Sequence, residues 1–203
     1  MRDDTIAGDP TLTPERAMTY EVGGDWRGWR HARLGLTLFR SNVRDFIERD
    51  VQTETFANFQ HYRFQGVELT SHSEFAGHTT VDASYSFLDS VDRGDTRVFD
   101  DLQYRPRHKL ALELARRFDT GTVASMNVMH VGEEMFFSRI GTPQERMLAP
   151  YTLLGARLAQ EFHGRRLRVY VGASNLLDDN YAEAYGLPQA GRMVYGGIDL
   201  QLF

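Results

Sequence analysis

Apolar and polar residues alternate along most of this chain, in runs of about ten, and few segments carry a 3.6-residue period. Residues 16–26 form a first expected strand, weakened by Gly23-Gly24 and turned at Trp26-Arg-Gly-Trp29. Residues 31–40 alternate cleanly, with Ala32, Leu34, Leu36 and Leu38 opposite Arg33, Gly35, Thr37 and Phe39, and the strand is expected to continue towards Phe46 through a bulge. Residues 50–59 are polar and read as a loop. Further strands are expected at 62–75, 80–88, 108–118, 123–133, 152–162, 166–174 and 193–203. Each places Leu, Val or Ala on one face and charged or hydroxyl side chains on the other.

The pattern gives about nine antiparallel strands. Their connections alternate in length. Those near 27, 77, 120 and 163 are short, and those at 50–60, 89–106, 137–150 and 176–191 run to roughly ten to eighteen residues, so every long loop falls at the same end of the sheet. Tight turns at one end, long loops at the other and strands near ten residues are the pattern of an all-β, antiparallel transmembrane barrel. The polar face carries both signs of charge (Arg33, Glu68, Asp82, Lys109, Glu113, Arg157, Glu161, Arg168), as a wet lumen would. The opposite face is a plain aliphatic band. Tyr62, Phe64, Phe75, Tyr85, Phe118, Tyr151 and Phe162 lie near strand ends, where aromatic girdles sit. Backbone polar groups in lipid must all be paired, so such a sheet has to close. Nine strands do not make the usual even-numbered barrel and fit a sector of a larger one. A soluble β-sandwich or lipocalin-like barrel has the same alternation and stays open as an alternative.

Composition narrows the function classes. Of 203 residues, 41% are hydrophobic and 25% charged, which suits a folded chain. The net charge of −5 argues against a nucleic-acid binder. The absence of cysteine removes disulfides, thiolate metal sites and cysteine nucleophiles. Residues 1–10 lack the apolar core of a signal peptide. No nucleophile elbow, Gly-rich phosphate loop or HExxH spacing is present, so neither catalysis, a cofactor nor a metal site is expected. The seven histidines fall in strands or turns, the acidic stretch 89–101 reads as a solvated loop, and Gly191-Arg192 reads as a loop-to-strand junction.

The last third is more specific. Asn175-Leu-Leu-Asp178, Tyr181, Tyr185-Gly-Leu-Pro188, Ala190-Gly-Arg192 and a strand ending in Phe203 resemble the carboxy-terminal signature of TonB-dependent outer-membrane receptors. Upstream, Leu12-Thr-Pro-Glu-Arg16 with Tyr20-Glu-Val-Gly23, Phe39 with Val43, Asp45 and Ile47, Gly66-Val-Glu-Leu69, Pro106 with His108-Lys-Leu110 and Tyr151-Thr-Leu-Leu154 follow the family's order. Leu177 departs from the family's usual Phe, and Gln189-Ala190 from its usual Met/Pro-Pro; the second variant leans towards cobalamin- or catecholate-type receptors.

The resemblance implies that residues 1–203 are the carboxy-terminal portion of a barrel of about 22 strands, without the family's plug domain or TonB box. It implies a location in the outer membrane of a Gram-negative bacterium. It also implies uptake of a metal chelate (siderophore, haem or cobalamin), and as partners outer-membrane lipid, the plug and remaining strands, TonB acting through the plug, and the barrel assembly machinery. Phe136, Phe137, Tyr181, Tyr185 and Arg192 are the expected ligand-capture residues on outer loops, and Phe203 the expected assembly signal, although Ile198, Leu200 and Leu202 have the opposite parity. A standalone structural or adhesion barrel is a further alternative.

Overall fold

The computed structural model describes residues 10–29, 31–49, 55–94, 97, 99–137, 144–162 and 166–201. Nine strands build one antiparallel sheet: β1 (Arg16–Trp29), β2 (Ala32–Arg49), β3 (Phe56–Phe75), β4 (Thr79–Asp92), β5 (His108–Arg117), β6 (Thr122–Val131), β9 (Tyr151–Phe162), β10 (Leu167–Ser174) and β13 (Met193–Leu200). Each pairs with the next, in the order β1-β2-β3-β4-β5-β6-β9-β10-β13. Two small hairpins sit inside long connections, β7 (Glu134–Phe137) with β8 (Glu145–Leu148), and β11 (Ala182–Ala184) with β12 (Leu187–Pro188). Among the described residues there is no helix, and β1 and β13 are unpaired edges. An open nine-stranded sheet is what a sector of a larger barrel would be.

Register makes the two faces continuous across the sheet. Val22, Leu38, Val67, Phe87 and His108 follow one another across β1 to β5 on one face, and Leu112, Val128 and Leu154 continue it. The opposite face carries Arg33, His72, Asp82, Glu113 and Asn127 in adjoining positions. The aliphatic face has no cover: Val22 is 66% exposed, Ile198 70% and Val194 73%. A soluble protein rarely leaves so large a contiguous apolar surface in water, whereas lipid is its natural solvent. The hydroxyls and charges of the other face enclose a groove of about 650 Å³ lined by Asp25, Arg33, Thr70, His72, Asp82 and Glu113, so that face is the concave, lumen side.

Phe75, Phe118 and Phe162 stand on the aliphatic face at the short-turn end, and Tyr20, Tyr85 and Phe87 at the long-loop end. They bracket the aliphatic band as interfacial girdles do. Tyr62, Phe64 and Tyr151, grouped with the girdle from sequence position alone, turn to the lumen side instead; Tyr62 and Tyr151 are 6% and 8% exposed. Parity, rather than distance from a strand end, decides which side a residue takes.

Three connections differ from the sequence expectation. β1 continues through the expected turn at Trp26–Trp29, with a register shift between those two residues, and β2 begins at Ala32. The expected loop at 50–59 is shortened from its far side, since β3 starts at Phe56, while β2 runs on to Arg49. The expected bulge does not appear, since the β2–β3 register is unshifted from Ala32 to Arg49; instead Asp45 adopts φ 57°, and Asn58 Nδ2 donates to its carbonyl at 2.5 Å and to Thr13 O at 2.9 Å, which ties the ribbon together here. Glu15 Oε1 accepts the Ile47 N–H at 2.7 Å, so the segment leading into β1 clamps the same ribbon. The loop at 89–106 also loses its start to β4, which ends at Asp92. At 20 residues, β3 spans about 65 Å, twice what a tilted strand needs to cross the bilayer core, so the β2–β3 ribbon projects well beyond it at the long-loop end.

Candidate ligand-facing surface at the long-loop end

The loops at this end are tied together before they can meet anything else. Asn175 closes β10 in the left-handed region (φ 48°), which asparagine tolerates better than most residues. Its side chain is buried and works in both directions: Oδ1 accepts the Asp179 N–H at 2.9 Å, while Nδ2 donates to Asp179 O at 2.9 Å and to Ala190 O at 3.3 Å. Asp178 Oδ1 accepts the Arg192 N–H at 2.8 Å, and Asp179 Oδ2 accepts the Thr152 N–H at 2.9 Å. The Leu176 N–H donates to Leu154 O at 2.8 Å, and Arg192 Nε to Leu176 O at 3.1 Å. The Asn-Leu-Leu-Asp turn therefore fastens β9, β10 and the start of β13 to one another. Arg192 is a junction residue within this knot. Gly191 is needed here because a Cβ would lie 2.8 Å from Asp178 Oδ1.

Above the knot the expected aromatics assemble into a layer. Phe136 and Tyr185 stack with centroids 4.6 Å apart and planes at 19°, and Tyr151 meets Tyr181 at 4.5 Å. Phe136 is 4% exposed and Tyr185 68%, so the first anchors the stack and the second offers its outer face. Two aromatics outside the expected set join them. Phe99 stacks on Phe137 at 4.5 Å, and Tyr104 stacks on Phe136 at 6.4 Å. The Tyr104 N–H donates to Met135 O, and the Phe137 N–H to Gln103 Oε1, both at 2.9 Å. The only sequence signal for Phe99 and Tyr104 was two rings in an otherwise charged loop, which the net polarity of 89–106 masked. Phe203, the expected assembly signal, lies outside the described residues.

The electrostatics of the layer are mixed. Burial pushes the Glu134 carboxyl above the usual carboxylate range, a rise that Lys109 and Arg105 oppose and Glu183 adds to. Arg97 pairs with Asp100 at 2.6 Å, and Arg107 with Asp101 at 3.2 Å. Phe99, Asp100, Asp101 and Glu145 line a shallow recess beside them. Rings with a polar rim suit a ligand with aromatic or macrocyclic surface and fixed charges. No cluster of three or more metal-ligating side chains occurs among the described residues.

Comparison with known proteins agrees with this geometry. Residues 2–176 match the family model described as TonB dependent receptor-like, beta-barrel. The ferric-catecholate import receptor Fiu of E. coli K12 superposes with a TM-score of 0.78 at 18% identity, over 93% of this chain and 28% of that one. The copper transporter OprC gives 0.76 at 19% identity, over 94% and 32%. The FrpB iron transporter of Neisseria meningitidis gives 0.75 at 16% identity, over 93% and 31%. This chain therefore spans less than a third of the length of these solved chains. No curated protein matches it.

Proposed function

The chain belongs to the TonB-dependent receptor-like β-barrel family, and from that premise we propose that it is the carboxy-terminal sector of an outer-membrane receptor that imports a metal chelate. The family is one of transport receptors rather than enzymes. In this reading the aliphatic face is the lipid-facing wall. The charged concave face, with His72 bonded to Asp82 at 2.6 Å and Arg117 to Glu161 at 2.5 Å, lines the lumen and seats a plug domain supplied by the rest of the receptor. Energy reaches that plug from TonB, and the long loops face the outside of a Gram-negative cell.

The observation that carries the capture role is the aromatic layer. A ring buried at Phe136 supports an open ring at Tyr185, and Phe137 stacks with Phe99 beside them. Preordered rings lose little entropy on binding, so they are efficient contacts for a planar or catechol-bearing ligand. Candidate cargo is a siderophore, haem or cobalamin, each of which brings its metal already coordinated.

The test is binding and uptake by cells producing the intact receptor, with a ferric catecholate, haem and cobalamin offered separately. One of the three is expected to bind, and the Tyr185→Ala/Phe137→Ala variant is expected to bind it about tenfold or more weakly while reaching the cell surface in normal amount. Uptake should fall in parallel. Unchanged binding by the surface-exposed variant would sink the capture role, and uptake of none of the three would sink the proposed cargo class.

A further inference from the structure

One charged patch lies on the wrong side of the sheet for lumen work. On the lipid-facing parity, from the level of the outer girdle outward, β1 and β2 present Arg16, Arg40 and Arg44. Arg16 stands directly opposite Arg44, which places two like charges about 5 Å apart at their Cβ atoms, an arrangement that is unfavourable by itself. Arg16, Arg40 and Arg44 are exposed and hold no ion pair among the described residues. Arg63 gives one nitrogen to Asp89 Oδ2 at 2.9 Å, and its buried Nε has no partner among the described residues. Among the described side chains, Asp89 is the single carboxylate on this parity next to the patch, and Gln65 shares it. Asp101, bridged to Val91 on the far side, is taken by Arg107. Three exposed guanidinium groups thus face outward beside one carboxylate already committed to Arg63 and Gln65.

Their height says what covers them. Arg40 is two residues beyond Leu38, the edge of the aliphatic band, and Arg44 six residues beyond it. With about 3.3 Å per residue and the tilt of a barrel strand, they stand about 5 and 15 Å above the hydrocarbon. That is the headgroup zone of the outer leaflet. A soluble partner would have to displace lipid to reach Arg40, whereas a lipid phosphate is already at that depth.

We propose that Arg16, Arg40 and Arg44 bind the phosphates of an anionic lipid headgroup in the outer leaflet. The phosphate lies between Arg16 and Arg44 and relieves their repulsion, and a second phosphate is reached by Arg40. Guanidinium forks suit phosphate because two parallel N–H groups meet two oxygens. The site fastens the projecting β2–β3 ribbon to the membrane surface. The inference rests on the outer-membrane reading of the previous subsection, since it takes its depth scale from the lipid-facing band.

The experiment is native mass spectrometry of the intact receptor in mild detergent, titrated in separate runs with a bisphosphorylated lipid A and with zwitterionic phosphatidylcholine. Wild type should retain lipid A at least about tenfold more strongly than phosphatidylcholine, and Arg16→Gln/Arg40→Gln/Arg44→Gln should abolish the preference. Arg44→Gln alone should weaken lipid A retention yet leave the lipid-free protein as stable as wild type or more so, because it removes the like-charge pair. Heat-modifiable gel migration is read for every sample. A folded wild type without the preference, or a folded triple variant that keeps it, overturns the lipid site and leaves the receptor reading standing. Loss of heat-modifiable folding in wild type itself would overturn both.

Discussion

Leu112→Arg is expected to cost about 2–4 kcal/mol and to deplete the barrel from the membrane. Leu112 sits at the centre of β5, between Ala83 of β4 and Val128 of β6, on the aliphatic face. His108 marks the long-loop end of that face on the same strand and Arg116 the short-turn end, so residue 112 is near the middle of the aliphatic band. A guanidinium at that depth has neither water nor a counter-ion within reach, and its long stem cannot carry it to either interface. Ala111→Arg, one residue away, projects between Ser84 and Met129 on the lumen side and should cost only a small fraction as much. Denaturant unfolding in lipid vesicles reads both values. Equal costs at the two positions would mean that the faces have been assigned to the wrong media.

Asn175→Ala is expected to lower stability by about 3 kcal/mol and to loosen the last long loop. The substitution removes an acceptor for Asp179 N–H and a donor to Asp179 O and Ala190 O, all at a buried position. Each buried group left unpaired costs about 1 kcal/mol or more. Alanine at φ 48° adds about 1 kcal/mol of backbone strain. Two further variants separate these parts. Asn175→Gly should recover the backbone portion alone, and Asn175→Asp should keep the acceptor and the tolerance of φ while losing both donated bonds. Limited proteolysis should show faster cleavage within residues 176–191 in the order Ala, then Gly or Asp, then wild type. If Asn175→Gly behaved as wild type, the side-chain bonds would carry no weight and the turn would be a backbone feature only.

The sequence was most readable where physics imposes a strict period. Leu34, Leu36 and Leu38 had to share a face because strand side chains alternate, and the sheet keeps them there through every pairing to Ile198. Loop asymmetry was readable for a similar reason: the tight turns at Gly77 and Gly121, both at positive φ, fall at the same end of the sheet. What escaped depends on contacts between segments remote in sequence. The run of β2 to Arg49 and the early start of β3 at Phe56 are held by Asn58 reaching Thr13 and Asp45, which no local pattern announces. The lumen positions of Tyr62 and Tyr151 were available from parity, but proximity to strand ends drew them into the girdle. At the candidate site, Phe136, Phe137, Tyr181 and Tyr185 were visible as aromatics in outer loops. Their stacking order, and the part played by Phe99 and Tyr104, needed the third dimension. Arg192 was readable as a junction from its place between Gly191 and a strand, and its bonds to Asp178 and Leu176 give that reading its cause.

The division of the sheet into a lipid face and a lumen face underlies the lipid wall, the loop orientation and the outward arginines alike. The chain contains no cysteine, so single cysteines introduced at positions 109 to 114 of β5 can each carry an environment-sensitive fluorophore without background. The measurement is quenching by brominated lipid in reconstituted vesicles. Strong quenching at 110, 112 and 114 with little at 109, 111 and 113 is the expected result. Quenching that is uniform along the strand, or strongest at the odd positions, would contradict it.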